Sequence, residues 1–330
     1  MSEATTPKET KPQDAKTETI DIKSMNIFQR MSAITDELGV VAKNLNVKAG
    51  GIYVDGTLGR AGHTREILRR GGRVIGIDRD DDALKAVAAL SVQGLKAVKG
   101  NHGDVAKILK NEGLEKVDGI LLDLGVSSPQ LDERERGFSF RADGPLDMRM
   151  DRAGGLTAAD VVRDLDEAGL TEIFRKYGEE PNARRIAKAI VKARGVSPVE
   201  TTLQLAEIVE RTVGRRGAHH PATRVFQALR MHVNDEMGEL EKALADGLMC
   251  LKPGGRMAVI TFHSLEDRIT KQTMADLAKG CICPPEFPVC VCGNKPKVEL
   301  VSRKPIIPSD AEIEDNPRAR SAKLRVARTI

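Results

Sequence analysis

The stretch Val54-Asp55-Gly56-Thr57-Leu58-Gly59-Arg60-Ala61-Gly62-His63, followed by Val74-Ile75-Gly76-Ile77-Asp78, combines two things that an adenosine site needs. Glycines admit a ligand close to the backbone, because no Cβ intervenes. An acid closing a second strand, about 20 residues further on, suits the hydroxyls of a ribose. The spacing Gly56-x-x-Gly59-x-x-Gly62 is not the dinucleotide pattern G-x-G-x-x-G, so a nicotinamide cofactor is disfavoured. S-adenosylmethionine carries the same adenosine and ribose without a pyrophosphate and suits such a loop better.

A second set of residues could act on a substrate. Asp123 ends an apolar run that begins at 117, and Ser127-Ser128-Pro129-Gln130 follows it. Asp55, Asp78 and Asp123 all fall at the ends of expected strands, where open α/β sheets bind their ligands. Asp123 is expected in the site; Ser127 and Ser128 either join it or only cap a loop. Phe138 and Phe140 either stack on an extruded base or fill a hinge. His63, at a helix start, is expected to act through its backbone amide more than its ring. His263 could move a proton, or be a fixed hydrogen-bonded histidine. Glu266, Asp267 and Arg268 are expected to form a structural charge network. His219, His220, Arg215 and Arg216 either meet phosphates or are solvated.

Five cysteines occur. Cys250 sits in an apolar stretch and is expected in the core. Cys281-x-Cys283 and Cys290-x-Cys292 are grouped as thiols that hold a metal in a reducing cytosol would be. The usual structural-zinc spacing is C-x-x-C, however, so no metal is expected and an unliganded surface loop is favoured.

These residues need elements to hold them. Residues 1–24 carry almost nothing to bury and read as a disordered tail. Residues 25–46 place Ile27, Met31, Ile34, Leu38, Val41 and Leu45 at helical steps, an amphipathic helix within an atypical N-terminal segment, 25–49. From 51 to 126 strands and helices alternate: strands 52–55, 73–77, 95–98 and 117–123, with helices near 63–70, 80–89 and 103–111. That alternation predicts a parallel, doubly wound sheet. Helical segments 157–163, 167–176, 182–193 and 201–213 read as an insertion, 137–220, within a core formed by 50–136 and 221–330. A long helix over about 222–250, a turn over 251–255 and a strand from Arg256 to Phe262 resume the α/β pattern.

The core must be mostly aliphatic, since the 330 residues include no Trp, two Tyr and seven Phe. A net charge of +4 does not by itself demand nucleic acid. Arg318, Arg320, Lys323, Arg325 and Arg328 form a local basic strip, read as a solvated tail in preference to a phosphate contact. No apolar run spans a bilayer and the start is not a signal peptide, so a cytoplasmic protein without a membrane partner is expected.

Several segments together carry a resemblance. They are Asp118 to Gln130 (DGILLDLGVSSPQ), Arg136 to Phe140 (RGFSF), Asp143 to Asp151 (DGPLDMRMD), His220 to Arg230 (HPATRVFQALR), Phe262 to Arg268 (FHSLEDR) and Asn316 to Ser321 (NPRARS). From about Gly50 to its end the chain closely resembles the bacterial small-subunit ribosomal RNA (cytosine-N4)-methyltransferases. The resemblance implies a class I, Rossmann-like methyltransferase core with a helical insertion that recognises substrate. It implies N4 methylation of a cytosine in 16S RNA, with S-adenosylmethionine as donor and the assembled small subunit as partner. It places Ala61, Gly62 and His63 against the cofactor through the turn, Asp78 on the ribose, and Asp123 and Gln130 along the methionine and adenine side. His102 stands where the family often has an aromatic residue. Asp123, with Ser128, is the expected catalytic position. The Ser-Ser-Pro-Gln turn resembles the S-P-P-Y element of DNA amino-methyltransferases without its aromatic.

The family's H-x-P-V-L-L-x-E-type opening segment is missing before the first strand. Residues 25–46 instead faintly resemble the start of phage Erf-type single-strand annealing proteins. The alternative function is therefore a catalytically impaired methyltransferase-like protein that binds RNA or single-stranded DNA. The sequence leaves the oligomeric state open, a homodimer included.

Overall fold

The computed structural model describes residues 35–215, 220–284, 286–287 and 289–330. The expected tail 1–24 and the first part of the amphipathic helix lie outside them. The described part of that helix, α1 (Thr35–Asn44), leads into the sheet, with Val41 and Leu45 buried against Tyr53. The strands are β1 (Ile52–Asp55), β2 (Arg73–Asp78), β3 (Leu95–Lys99), β4 (Val117–Asp123), β5 (Leu251–Thr261), β6 (Val298–Leu300) and β7 (Lys323–Thr329). They form one seven-stranded sheet in the order β3-β2-β1-β4-β5-β7-β6. The helices α2 (Gly62–Arg69), α3 (Asp81–Ala88) and α4 (Val105–Asn111) connect the first four strands. β1 to β5 pair in parallel, as the alternation predicts. The carboxyl ends of β1, β2 and β4 therefore bring Asp55, Asp78 and Asp123 to one edge.

The basic strip corrects an expectation. Arg318 and Arg320 are exposed, but the part from Lys323 onward is not a solvated tail: β7 runs antiparallel between β5 and β6. Its alternation explains why. Leu324 and Val326 point into the core beside Ile260, whereas Arg325 gives both guanidinium ends to Asp267 at 2.6 and 3.1 Å. Lys323 reaches the same carboxylate at 3.3 Å. Burial alone would raise the Asp267 carboxyl, but its bonds to Arg325 and Lys323 outweigh that and hold it below its ordinary range. A depressed carboxylate stabilises the fold above its unfolded pKa and loses that contribution as pH falls through the folded one. Asp267→Asn is thus expected to cost about 1–2 kcal/mol at neutral pH. The gap to wild type should narrow below about pH 4. Melts across that range would show it, and a pH-independent gap would mean that the charge is not the source.

The expected helix over 222–250 is two helices, α10 (Thr223–Val233) and α11 (Glu236–Met249). The chain breaks at Asp235, whose φ is 46°. Asn234 supplies the reason: its side chain donates to Met148 O and accepts from Met150 N, each at 2.8 Å. Side-chain bonds of this kind compete with the helical ladder. The expected turn 251–255 is a bulge inside β5, since Val117 pairs with Leu251 and Gly119 already with Arg256. After β5 comes α12 (Ser264–Leu277), which the periodicity did not suggest.

Between β4 and α10 lie α5 (Ser128–Asp132), α6 (Ala158–Asp164), α7 (Glu167–Lys176), α8 (Ala183–Arg194) and α9 (Thr202–Val213). The last four close over their own core of Leu146, Phe174, Ile186 and Leu205, to which α10 adds Val225 and Phe226. Gly137 turns the chain into this unit with φ 73°. A Cβ there would stand 2.2 Å from Pro145 O, so glycine is required. The short helix α13 (Asp310–Asp315) precedes β7.

Candidate functional site

The glycine turn is anchored at both ends by acids. Asp55 is almost wholly buried; it accepts from Thr64 Oγ1 at 2.7 Å and from the Thr57 amide at 3.3 Å, tying β1 to α2. Thr57 Oγ1 in turn accepts from the Asp123 amide at 2.7 Å, tying the turn to β4. Asp78 accepts the Gly59 amide at 2.8 Å on one oxygen and the Asp80 amide at 2.9 Å on the other. Burial raises its carboxyl above the ordinary value. The turn passes through two left-handed residues, Gly59 (φ 49°) and Ala61 (φ 61°). For alanine this conformation costs about 1–2 kcal/mol. It launches α2 with no side-chain cap and no acid in its first turn. The positive end of the helix thus faces the carboxyl-end crevice.

Asp123 sits across that crevice. Its Oδ2 lies 3.6 Å from His63 Nε2. Its Oδ1 is buried without a partner among the described residues. His102 opens the short helix after β3, and its Nε2 is also buried with no partner among the described residues. Burial, with the Arg79 charge, pulls its pKa down to about 3, so the ring is neutral. Gly56 lets the end of β1 pass close to His102 and Leu122, since a Cβ there would lie 3.2 Å from His102 Cβ and 2.5 Å from Leu122 Cδ2.

Gln130 is buried in α5, with both ends of its amide engaged. Its Oε1 accepts from the Ser127 amide at 3.0 Å, and its Nε2 donates to Asp80 Oδ2 at 2.8 Å. Arg136 donates to the same oxygen at 2.8 Å and to the carbonyls of Arg149 and Met150. This buried Asp80–Gln130–Arg136 cluster joins the turn after β2 to the start of the insertion. Sequence reasoning missed it, although Asp80 follows Asp78 by two and precedes a helix, as an N-cap does. Ser128, half-buried, begins α5 just past β4.

The other sequence-marked residues among those described are engaged by protein neighbours. Phe138 is buried in the insertion core, and Phe140 packs on His220 and Phe226 with ring centroids 4.6 and 4.8 Å away. His263 caps α12 and its Nε2 stands 2.9 Å from Glu266 Oε1. Glu266, Asp267 and Arg268 do not form one network: they turn to His263, to β7 and to Glu179 Oε1 respectively. Successive helix positions face different directions, which separates them. His220 Nε2 meets Glu210 at 3.4 Å. Arg215 pairs with Glu210 at 2.7 Å; Arg216 and His219 lie outside the described residues.

Two buried atoms without partners among the described residues and an uncapped helix start lie at the carboxyl-end side of the sheet, where an adenosine-bearing cofactor would supply partners. A buried donor or acceptor left alone costs about 1–3 kcal/mol. The order β3-β2-β1-β4-β5-β7-β6, with this turn between β1 and α2, defines a class I S-adenosylmethionine-dependent methyltransferase. The chain belongs to the MraW methylase family, which matches residues 31–330. The match includes residues 31–49, ahead of the Gly50 at which the motifs begin. Relatives named ribosomal RNA small subunit methyltransferase H share half of its residues. That of Brevibacillus brevis is 50% identical over 312 residues, covering 92% of this chain and 98% of the relative. That of Geobacter sp. strain M21 is 51% identical over 316 residues, covering 93% and 100%. That of Symbiobacterium thermophilum is 53% identical over 290 residues, covering 85% and 91%.

Proposed function

We propose that this chain methylates N4 of a cytosine in small-subunit (16S) ribosomal RNA, acting on the assembled subunit in the cytoplasm. The observation that carries this reading is the near full-length identity of about half to relatives bearing that RNA in their name. No helix of the described residues is long and apolar enough to cross a membrane.

S-adenosylmethionine supplies an electrophilic methyl group when bound. Asp78 would hold the ribose hydroxyls, and the Gly59–Gly62 backbone with the start of α2 would hold the methionine carboxylate. His102, neutral, would lie against adenine. Gln130 fixes Asp80 and the loop after β4. The exocyclic amine of cytosine is a poor nucleophile, because its lone pair is conjugated with the ring. Orientation of that amine is therefore the main task. Asp123 would accept a hydrogen bond from the amino group, orient its lone pair and take up the proton that N4 releases on methylation. Ser128, at the first turn of α5, borders the same space.

The test is transfer of a labelled methyl group to small subunits that lack the modification, with nucleoside analysis of the product. Label in N4-methylcytidine, on subunits and not on free RNA, is expected. Cofactor binding without transfer to any RNA would favour the alternative, a binding protein built on the same fold.

A further inference from the structure

We infer that Cys281, Cys283, Cys290 and Cys292 form a structural zinc site, separate from the methyl-transfer crevice. Their four sulfurs all lie within 4.8 Å of one another. Cys290 and Cys292 Sγ are 3.6 Å apart, and Cys292 and Cys281 Sγ 3.8 Å. Tetrahedral zinc with Zn–S bonds of about 2.3 Å sets its sulfurs about 3.8 Å apart. A disulfide would instead need about 2.05 Å.

The spacing that argued against zinc has a geometric answer. C-x-x-C places two ligands around one tight turn. In an extended chain, residues two apart share a face, so C-x-C presents both sulfurs together and the middle residue on the opposite side. Two such segments facing each other supply four ligands. The middle residues Ile282 and Val291 are 64% and 72% exposed. The segments are also cross-bonded reciprocally. The Ile282 amide donates to Cys292 Sγ at 3.4 Å and the Val291 amide to Cys283 Sγ at 3.3 Å. The Asn294 amide adds a second bond to Cys292 Sγ at 3.4 Å. Backbone donors aimed at sulfur stabilise thiolates, the form that binds metal. Asn294 Nδ2 then ties the loop back to the carbonyls of Lys279 and Gly280. Among its described residues, the segment between α12 and β6 has no buried apolar side chain, so metal binding would supply the order that burial does not.

The full chain, made without a polyhistidine tag and dialysed against a weak chelator, is expected to retain close to one zinc per chain. A mercurial thiol reagent should release it. Cobalt should replace it with the sulfur-to-metal absorption of a tetrahedral thiolate centre. Cys283→Ser and Cys292→Ser should each lose the metal, whereas Cys250→Ser, in the core, should keep it. A zinc-free chain with two disulfides, or with four freely titrating surface thiols, would overturn the site. So would zinc retained by both loop variants, which would place it elsewhere, such as the buried Glu236, His263 and Glu266 group.

Discussion

Asp78→Ala is expected to weaken S-adenosylmethionine binding by about 3 kcal/mol, on the order of a hundredfold in affinity. The carboxylate already takes one backbone amide on each oxygen. Those bonds aim its remaining lone pairs, so two ribose hydroxyls meet a fixed acceptor. A hydrogen bond to a charged group contributes about 1.5–3 kcal/mol, and two are lost together. Burial raises the carboxyl, so the charged form is already costly. Affinity in the wild type should therefore fall at a higher pH than for an ordinary aspartate, and Asp78→Asn should abolish that dependence. Isothermal titration reads both. Because Asp78 also holds Gly59, a melt of each variant separates a lost ligand from a loosened turn. Undiminished affinity in a folded Asp78→Ala protein would remove the residue from the pocket.

The crevice was legible because its signals are local. A glycine turn, an acid at a strand end and a second acid two strands on are read along the chain, and the register of a parallel sheet then brings them together. What was misread depends on distant partners. Arg325 looks solvated until Asp267, fifty-eight residues earlier, is placed beside it. The break at Asp235 is invisible without the Met148 and Met150 backbone that Asn234 binds. Phe138 and Phe140 were ambiguous because an aromatic ring suits a base and a core equally, and only the insertion's own packing decides. The Asp80–Gln130–Arg136 cluster joins three segments that no periodicity connects. The cysteine spacing argued against a metal on the bite of a tight turn, and that bite depends on the conformation of the backbone between the two thiols.

Asp123→Asn is expected to leave the fold intact and lower turnover about a hundredfold or more, the lower range for loss of a positioned acid–base group. The fold should survive because the element that places Asp123 is its backbone: the amide donates to Thr57 Oγ1, and β4 pairs on both sides. Asparagine preserves that bond and the side-chain volume. It removes the negative charge and the ability to take a proton, and it turns an acceptor into a donor on one side. Oδ1 has no partner among the described residues, which leaves it available to a ligand. The cytosine amine meets a full acceptor only on its way to the transition state, when its lone pair leaves the ring and its protons become acidic. The loss should therefore appear in kcat and kcat/KM alike, with the affinity for S-adenosylmethionine reduced far less. The measurement is turnover at saturating cofactor on undermethylated small subunits, beside a melt and a cofactor titration. Wild-type turnover would reduce Asp123 to a strand end. A loss confined to cofactor affinity would move it to the binding side of the crevice.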